Sequence, residues 1–162
     1  MQTASGWVEG RGLRGRERNS SSRLSLNNTA SFVVKKIQFR FEKLDCWKLA
    51  RGFSDDIYKA SKCFPKDEVF GLTSQIRRAA VSVSSNIAEG SGRNSDADFS
   101  HFLEIAYASL MEVISQLYLA LDQEYVTEEQ VDNLKITADK LAGKIVGLSK
   151  SLGRKPRIKK SQ

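Results

Sequence analysis

Between Val131 and Leu152 the apolar residues Val131, Leu134, Ala138, Leu141, Ile145, Leu148 and Leu152 recur at alternating steps of three and four without a miss. Only a helix puts such positions in one row, and a row this narrow is the seam one helix presents to another. A chain that carries it is committed to helix-on-helix packing. The same stepping occurs three more times upstream. Leu44, Trp47, Ala50, Ser54, Ile57 and Ser61 mark a first segment over roughly 42–62. Cys63-Phe64-Pro65 closes it, because proline disfavours helical geometry in the residue before it. A second segment, 67–89, carries Leu72, Ile76, Ala80, Val83 and Ile87 on one stripe. Asp67 and Glu68 are expected in its first turn, where the helix dipole favours acids, and Gly90 and Gly92 are expected to supply its stop and turn. The third opens at Ser95, with Asp98 three residues on as a capping pair, and runs to Gln123 or Glu124; Thr127 with Gln130 repeats the signal ahead of the seam helix. No strand-like alternation interrupts this region. Four helices on short links lie antiparallel to their neighbours, so the fold class is all-α: an antiparallel up-and-down four-helix bundle over 41–152.

Charge separates the bundle from its ends. Residues 1–40 hold eight basic and two acidic side chains, 41–152 hold thirteen and seventeen, and 153–162 hold five and none, within a formal total of +7. The net −4 of the middle argues against a positively charged nucleic-acid surface on the folded part. Apolar residues in 1–40 are few and without period among Gly, Arg, Ser and Asn, so both ends are expected to be disordered basic tails. Three readings of residues 1–40 stay open: a floppy tail, including extra residues from an upstream start; a basic arm touching RNA; or an organelle presequence. Whether they belong to the mature protein is equally open. No run approaches the roughly 18 consecutive apolar residues of a membrane span, and no apolar signal core is present at the N-terminus. No membrane partner is expected, and the cytoplasm is the expected location.

The third segment is the most apolar. One stripe reads Leu103, Ala106, Leu110, Val113, Leu117, Ala120, and a second reads Tyr107, Met111, Ile114, Tyr118, Leu121. A helix of a monomeric bundle needs one apolar face. Either this helix is the most central of the four, or copies of the chain meet on the second stripe, as exposed stripes of this length mark interfaces.

A polar row crosses the second segment at Gln75, Ala79, Ser82, Asn86 and Glu89, about 100° from its apolar stripe, and the third offers Ile105, Ser109, Glu112 and Gln116. A hairpin turning near Gly92 brings Gln75 to the level of Ser109, with Arg77, Arg78 or Lys140 available to meet Glu112. Buried polar groups need partners, so Gln75, Ser82, Asn86, Glu89, Ser109 and Glu112 are expected to form a hydrogen-bonded network that sets register. The rival readings are a ligand or nucleic-acid site and, more remotely, a catalytic site around Glu89, Glu112 and Arg77 or Arg78. Familiar chemistries lack their parts. A di-iron bundle needs Glu-x-x-His on two helices, whereas this chain has one His101, followed by Glu104. Cys46 and Cys63 lie about 25 Å apart along a helix axis, too far for a disulfide, and read as reduced thiols. Gly90-Ser91-Gly92 precedes a helix without the Lys-Ser/Thr pair of a phosphate-binding loop. No metal, cofactor or catalytic residue is expected.

The string Gln75-Ile-Arg-Arg-Ala-Ala-Val-Ser-Val-Ser-Ser-Asn-Ile-Ala-Glu-Gly90, with Arg93 beyond it, resembles the signature of a bacterial family of four-helix bundle proteins first associated with intervening sequences in 23S ribosomal RNA genes. Phe102-Leu-Glu-Ile-Ala-Tyr-Ala-Ser-Leu-Met-Glu-Val-Ile-Ser-Gln-Leu117 resembles its second block, and Trp47 with Ala50, Phe64-Pro65 and Phe70-Gly71-Leu72 also fit. The resemblance covers about 41–152. Ser84 stands where members often have Pro, and Ala108 where they often have Gly. It implies a ring-like homo-oligomer, commonly a pentamer. A similar branch, the accessory proteins of diversity-generating retroelements, binds reverse transcriptase and nucleic acid through a basic ring. The acidic middle of this chain works against such a ring here, so Arg154, Lys155, Arg157, Lys159 and Lys160 are the expected RNA contacts; the alternative is a solubilising tail.

These readings converge on a non-enzymatic homo-oligomeric scaffold that meets RNA or a nucleic-acid-handling protein. The alternative is a purely structural protein-interaction module, and the remote one an enzyme with a polar bundle site.

Overall fold

The four periodic segments become α1 (Asp45–Ala60), α2 (Leu72–Ser91), α3 (Asp96–Asp122) and α4 (Glu128–Ser151), with short 3-10 turns at Arg40–Lys43, Ser61–Cys63 and Lys66–Val69. The structure, a computed structural model, describes residues 37–153, and no strand occurs among them. Most of the two expected tails lies outside the described residues.

Each helix packs on the next in sequence and α4 closes on α1, while the diagonal pairs stay apart. Contacts between neighbours run in opposite chain directions. Along α2 and α3, Gly90 abuts Phe99 and Phe102, and further on Ser82 meets Ser109. Along α3 and α4, Ser100 bonds Ser149 at 2.9 Å, and Lys135 lies over the Tyr118 ring. These are the relations of an antiparallel up-and-down bundle. The apolar seams close on one core: Leu103, Ala106, Leu110, Val113, Leu117 and Ala120 of α3 are fully buried, as are Leu141 and Ile145 of α4. The seam of α1 is Cys46, Ala50, Phe53, Ser54 and Ile57, which keeps Ala50, Ser54 and Ile57 of the expected row and puts Cys46 in the place of Trp47. Trp47 sits at its flank, edge-on to Phe41 at 4.8 Å. Burial pushes the Cys46 thiol up to about 11, whereas Cys63 is exposed; both are free.

The starts of α3 and α4 follow capping chemistry, whereas α1 has no side-chain cap at Leu44. The Ser95 hydroxyl accepts from the Asp98 amide, and Thr127 with Gln130 forms a reciprocal capping box. However, α2 starts at Leu72 rather than 67. Asp67 and Glu68 occupy the preceding 3-10 turn, and the Glu68 carboxylate accepts the Leu72 amide at 2.7 Å, capping the helix from outside. Nor does Gly90 stop α2. It lies inside the helix, and a Cβ there would come within 2.7 Å of the Phe99 ring and 2.6 Å of Phe102 Cβ. Its role is close helix approach. Gly92 caps the end at φ −87°, a right-handed conformation that does not require glycine. In the α3–α4 link Glu124 takes φ 59°, a left-handed conformation that costs about 1 kcal/mol for a side chain with Cβ. There the Tyr125 amide returns to the Ala120 carbonyl at 2.9 Å, and Val126 is buried.

The contact at Gly90 gives a stability test. Gly90→Ala is expected to destabilise the fold by about 1–3 kcal/mol through overpacking. Gly52→Ala, where a Cβ meets nothing within 4 Å, is expected to stabilise α1 by about 0.5–1 kcal/mol. Urea unfolding of both variants checks the opposite signs.

Candidate functional site

Two surfaces collect the residues that sequence reasoning singled out. The first is the α2–α3 junction. Small residues let these helices approach closely, and Ser82 Oγ lies 3.0 Å from Ser109 Oγ across the junction. The Asn86 amide donates to the Ser82 carbonyl at 2.8 Å and to Ser82 Oγ at 3.0 Å, while the Ser109 hydroxyl also reaches the Ile105 carbonyl at 3.0 Å. Ser82, Asn86 and Ser109 thus form one connected cluster, with Ser109 buried and the other two half-buried.

Gln75, Glu89 and Glu112 do not join it. All three are exposed. Glu89 pairs with Arg93, one turn on, and Glu112 accepts from the Gln116 amide at 3.1 Å. Arg77 turns toward α1, donating to Ser61 Oγ at 2.7 Å and lying 5.1 Å from the Tyr58 ring centre, so it does not meet Glu112. The expected row was drawn on helical spacing alone, and its outer members fall where α2 and α3 no longer shield them. An open concavity of 660 Å³ along α2 is lined by Gln75, Arg77, Arg78, Ser82 and Glu112. Gln75, Arg78 and Glu112 lie on a solvated face, while Thr73, also in the lining, is buried with its hydroxyl unpartnered. Among the described residues no group of three His, Cys, Asp or Glu side chains is placed to hold a metal ion.

The second surface is the α3–α4 face. Tyr107, Ile114 and Leu121 are half-buried against the core, while Met111 and Tyr118 remain 36% and 45% exposed. A hollow of 180 Å³ opens here between Tyr107, Met111, Ile114, Ala138 and Ala142, with Lys135 and Asp139 at its rim. Hydrogen bonding to Tyr118, then to Asp132, raises Lys135 above its ordinary range, so it stays a cation beside the apolar row. On α4, Ile136 is 55% exposed, and a Cβ at Gly143 or Gly147 would meet nothing within 4 Å. By length and composition, α3 is long and apolar enough to cross a membrane, although its main stripe is spent on the bundle core. Of the basic tail residues, Arg154, Lys155, Arg157, Lys159 and Lys160 all lie outside the described residues.

Comparison with known proteins agrees with this architecture. The family model described as 23S rRNA-intervening sequence protein matches residues 42–147. A solved structure, described as a protein of unknown function from the S23 ribosomal protein family of Bacteroides thetaiotaomicron VPI-5482, is similar at 25% identity. Its TM-score is 0.60, and the similarity covers 65% of this chain and 98% of that one. No curated protein is similar to this chain.

The serine contact predicts a measurable coupling. Ser82→Ala and Ser109→Ala are each expected to cost about 1 kcal/mol. In a double-mutant cycle by urea unfolding, the double variant should lose less than the sum of the two by about 0.5 kcal/mol or more.

Proposed function

This chain belongs to the 23S rRNA-intervening sequence protein family, and we propose that it acts as a non-enzymatic scaffold built from several copies of the bundle. The observation that carries this reading is the apolar row Tyr107, Met111, Ile114, Tyr118 and Leu121, which one subunit leaves partly open beside the α3–α4 hollow. Covering such a row stabilises an assembly at about 25 cal/mol per Å² of apolar surface removed from water. A ring of identical subunits, a pentamer by resemblance, is the assembly proposed.

The five basic residues between Arg154 and Lys160, with no acid in 153–162, favour RNA as a second ligand of this scaffold. Contact of that tail with phosphates supplies affinity without sequence selectivity.

Light scattering of the full chain is expected to give a particle several times 18.1 kDa. Tyr118→Glu is expected to release folded subunits, and a wild type that is monomeric at micromolar concentration overturns the reading. Deleting 153–162 is expected to weaken retention on single-stranded RNA. Binding by the intact chain should fall with salt at a log–log slope of about −0.7 per neutralised phosphate. Retention unchanged by the deletion and insensitive to salt excludes the tail as the contact.

A further inference from the structure

Phe70 is 94% exposed, the most exposed large apolar side chain among the described residues, and Val69 beside it is 49% exposed. It stands at the end of the 3-10 turn Lys66–Val69, just before α2. That turn is held in place. The Glu68 carboxylate takes the Leu72 amide at 2.7 Å with one oxygen and the Tyr125 hydroxyl at 3.5 Å with the other. An aromatic side chain presented in water on a tethered turn is preorganised for insertion, because little freedom is left to lose when it is buried.

We propose that Phe70 of one subunit inserts into the α3–α4 hollow of the next, so that the scaffold is joined by a knob-and-socket contact between two different surfaces of the same chain. This rests on the self-association read above and adds the surface that meets the α3–α4 face. Size agrees: the hollow measures 180 Å³, and an apolar cavity of about 150 Å³ accommodates a benzene ring. Chemistry agrees, since Tyr107, Met111, Ile114, Ala138 and Ala142 surround the space. The knob belongs to the α1–α2 link and the socket to α3 and α4. A contact of this kind is heterologous, uses both surfaces of every subunit, and closes into a ring when the rotation between copies allows.

The test uses the full chain in three forms, wild type, Phe70→Ser and Met111→Glu, each checked for retained helix by circular dichroism and sized by native mass spectrometry. Both variants are expected to be folded monomers. Mixed in equal amounts, they are expected to form a dimer of twice 18.1 kDa and nothing larger, because only one intact knob and one intact socket remain in the pair. An assembled wild type with an equally assembled Phe70→Ser variant overturns the knob and leaves self-association standing. Two monomeric variants that stay monomeric when mixed overturn the heterologous pairing. A monomeric wild type overturns the scaffold reading itself.

Discussion

The structure depends on how α3 spends its apolar surface. Its row from Leu103 to Ala120 is completely withdrawn from water, and this requires α2 and α4 to flank it closely on both sides. On the α2 side the close approach is secured by absence of bulk: Gly90 lies against Phe99 and Phe102, and Ser82 against Ser109. On the α4 side it is secured at one end by the buried Ser100–Ser149 pair. Having met both neighbours, α3 still shows Met111, Tyr118 and Leu119 to solvent. Along α1 and α2 only Tyr58 and Val81 are comparably exposed among the large apolar residues, and the most exposed one, Phe70, stands at the turn before α2.

The two helix junctions therefore serve different ends. Between α2 and α3, Asn86, Ser82 and Ser109 satisfy one another inside the subunit, whereas Thr73 Oγ1 and Gln116 Oε1 are buried without a partner. A buried hydroxyl pair fixes register because sliding by one turn separates both partners at once. Between α3 and α4 the residues are apolar and the packing stops short of closure. One junction is thus held by hydroxyl and amide contacts, and the other leaves part of its apolar row in water.

The sequence displayed the fold more fully than the site. The seam of α4 and the caps at Ser95 and Thr127 are local features whose physics lies within a few residues, so spacing alone located them. The start of α2 was hidden because Glu68 acts as a cap from outside the helix, a role that depends on the turn at Gly71 and not on periodicity. Gly90 was hidden for a related reason: a glycine near a helix end reads as a stop, and only the partner helix reveals that Phe99 and Phe102 need the space. The polar row illustrates the limit of a helical wheel. Its angles are right, but Gln75, Glu89 and Glu112 lie beyond the reach of the neighbouring helix, and a wheel contains no neighbour. Phe70 entered only as part of the Phe70-Gly71-Leu72 resemblance, since one aromatic residue in a link has no period, and its exposure is what the structure adds.

The distribution of glycine connects these points. Gly71 and Gly90 are occupied positions, where an added Cβ would strike Glu68 or the two phenylalanines. Gly143 and Gly147 stand in open space on the helix beside the half-open row. Helix propensity disfavours Gly90, Gly143 and Gly147, which lie inside helices, whereas Gly71 stands at the N-cap of α2. Contacts inside the subunit account for the first two, while Gly143 and Gly147, like Gly52 of α1, meet no neighbour within 4 Å, so glycine is demanded where helices touch and only tolerated where they face solvent.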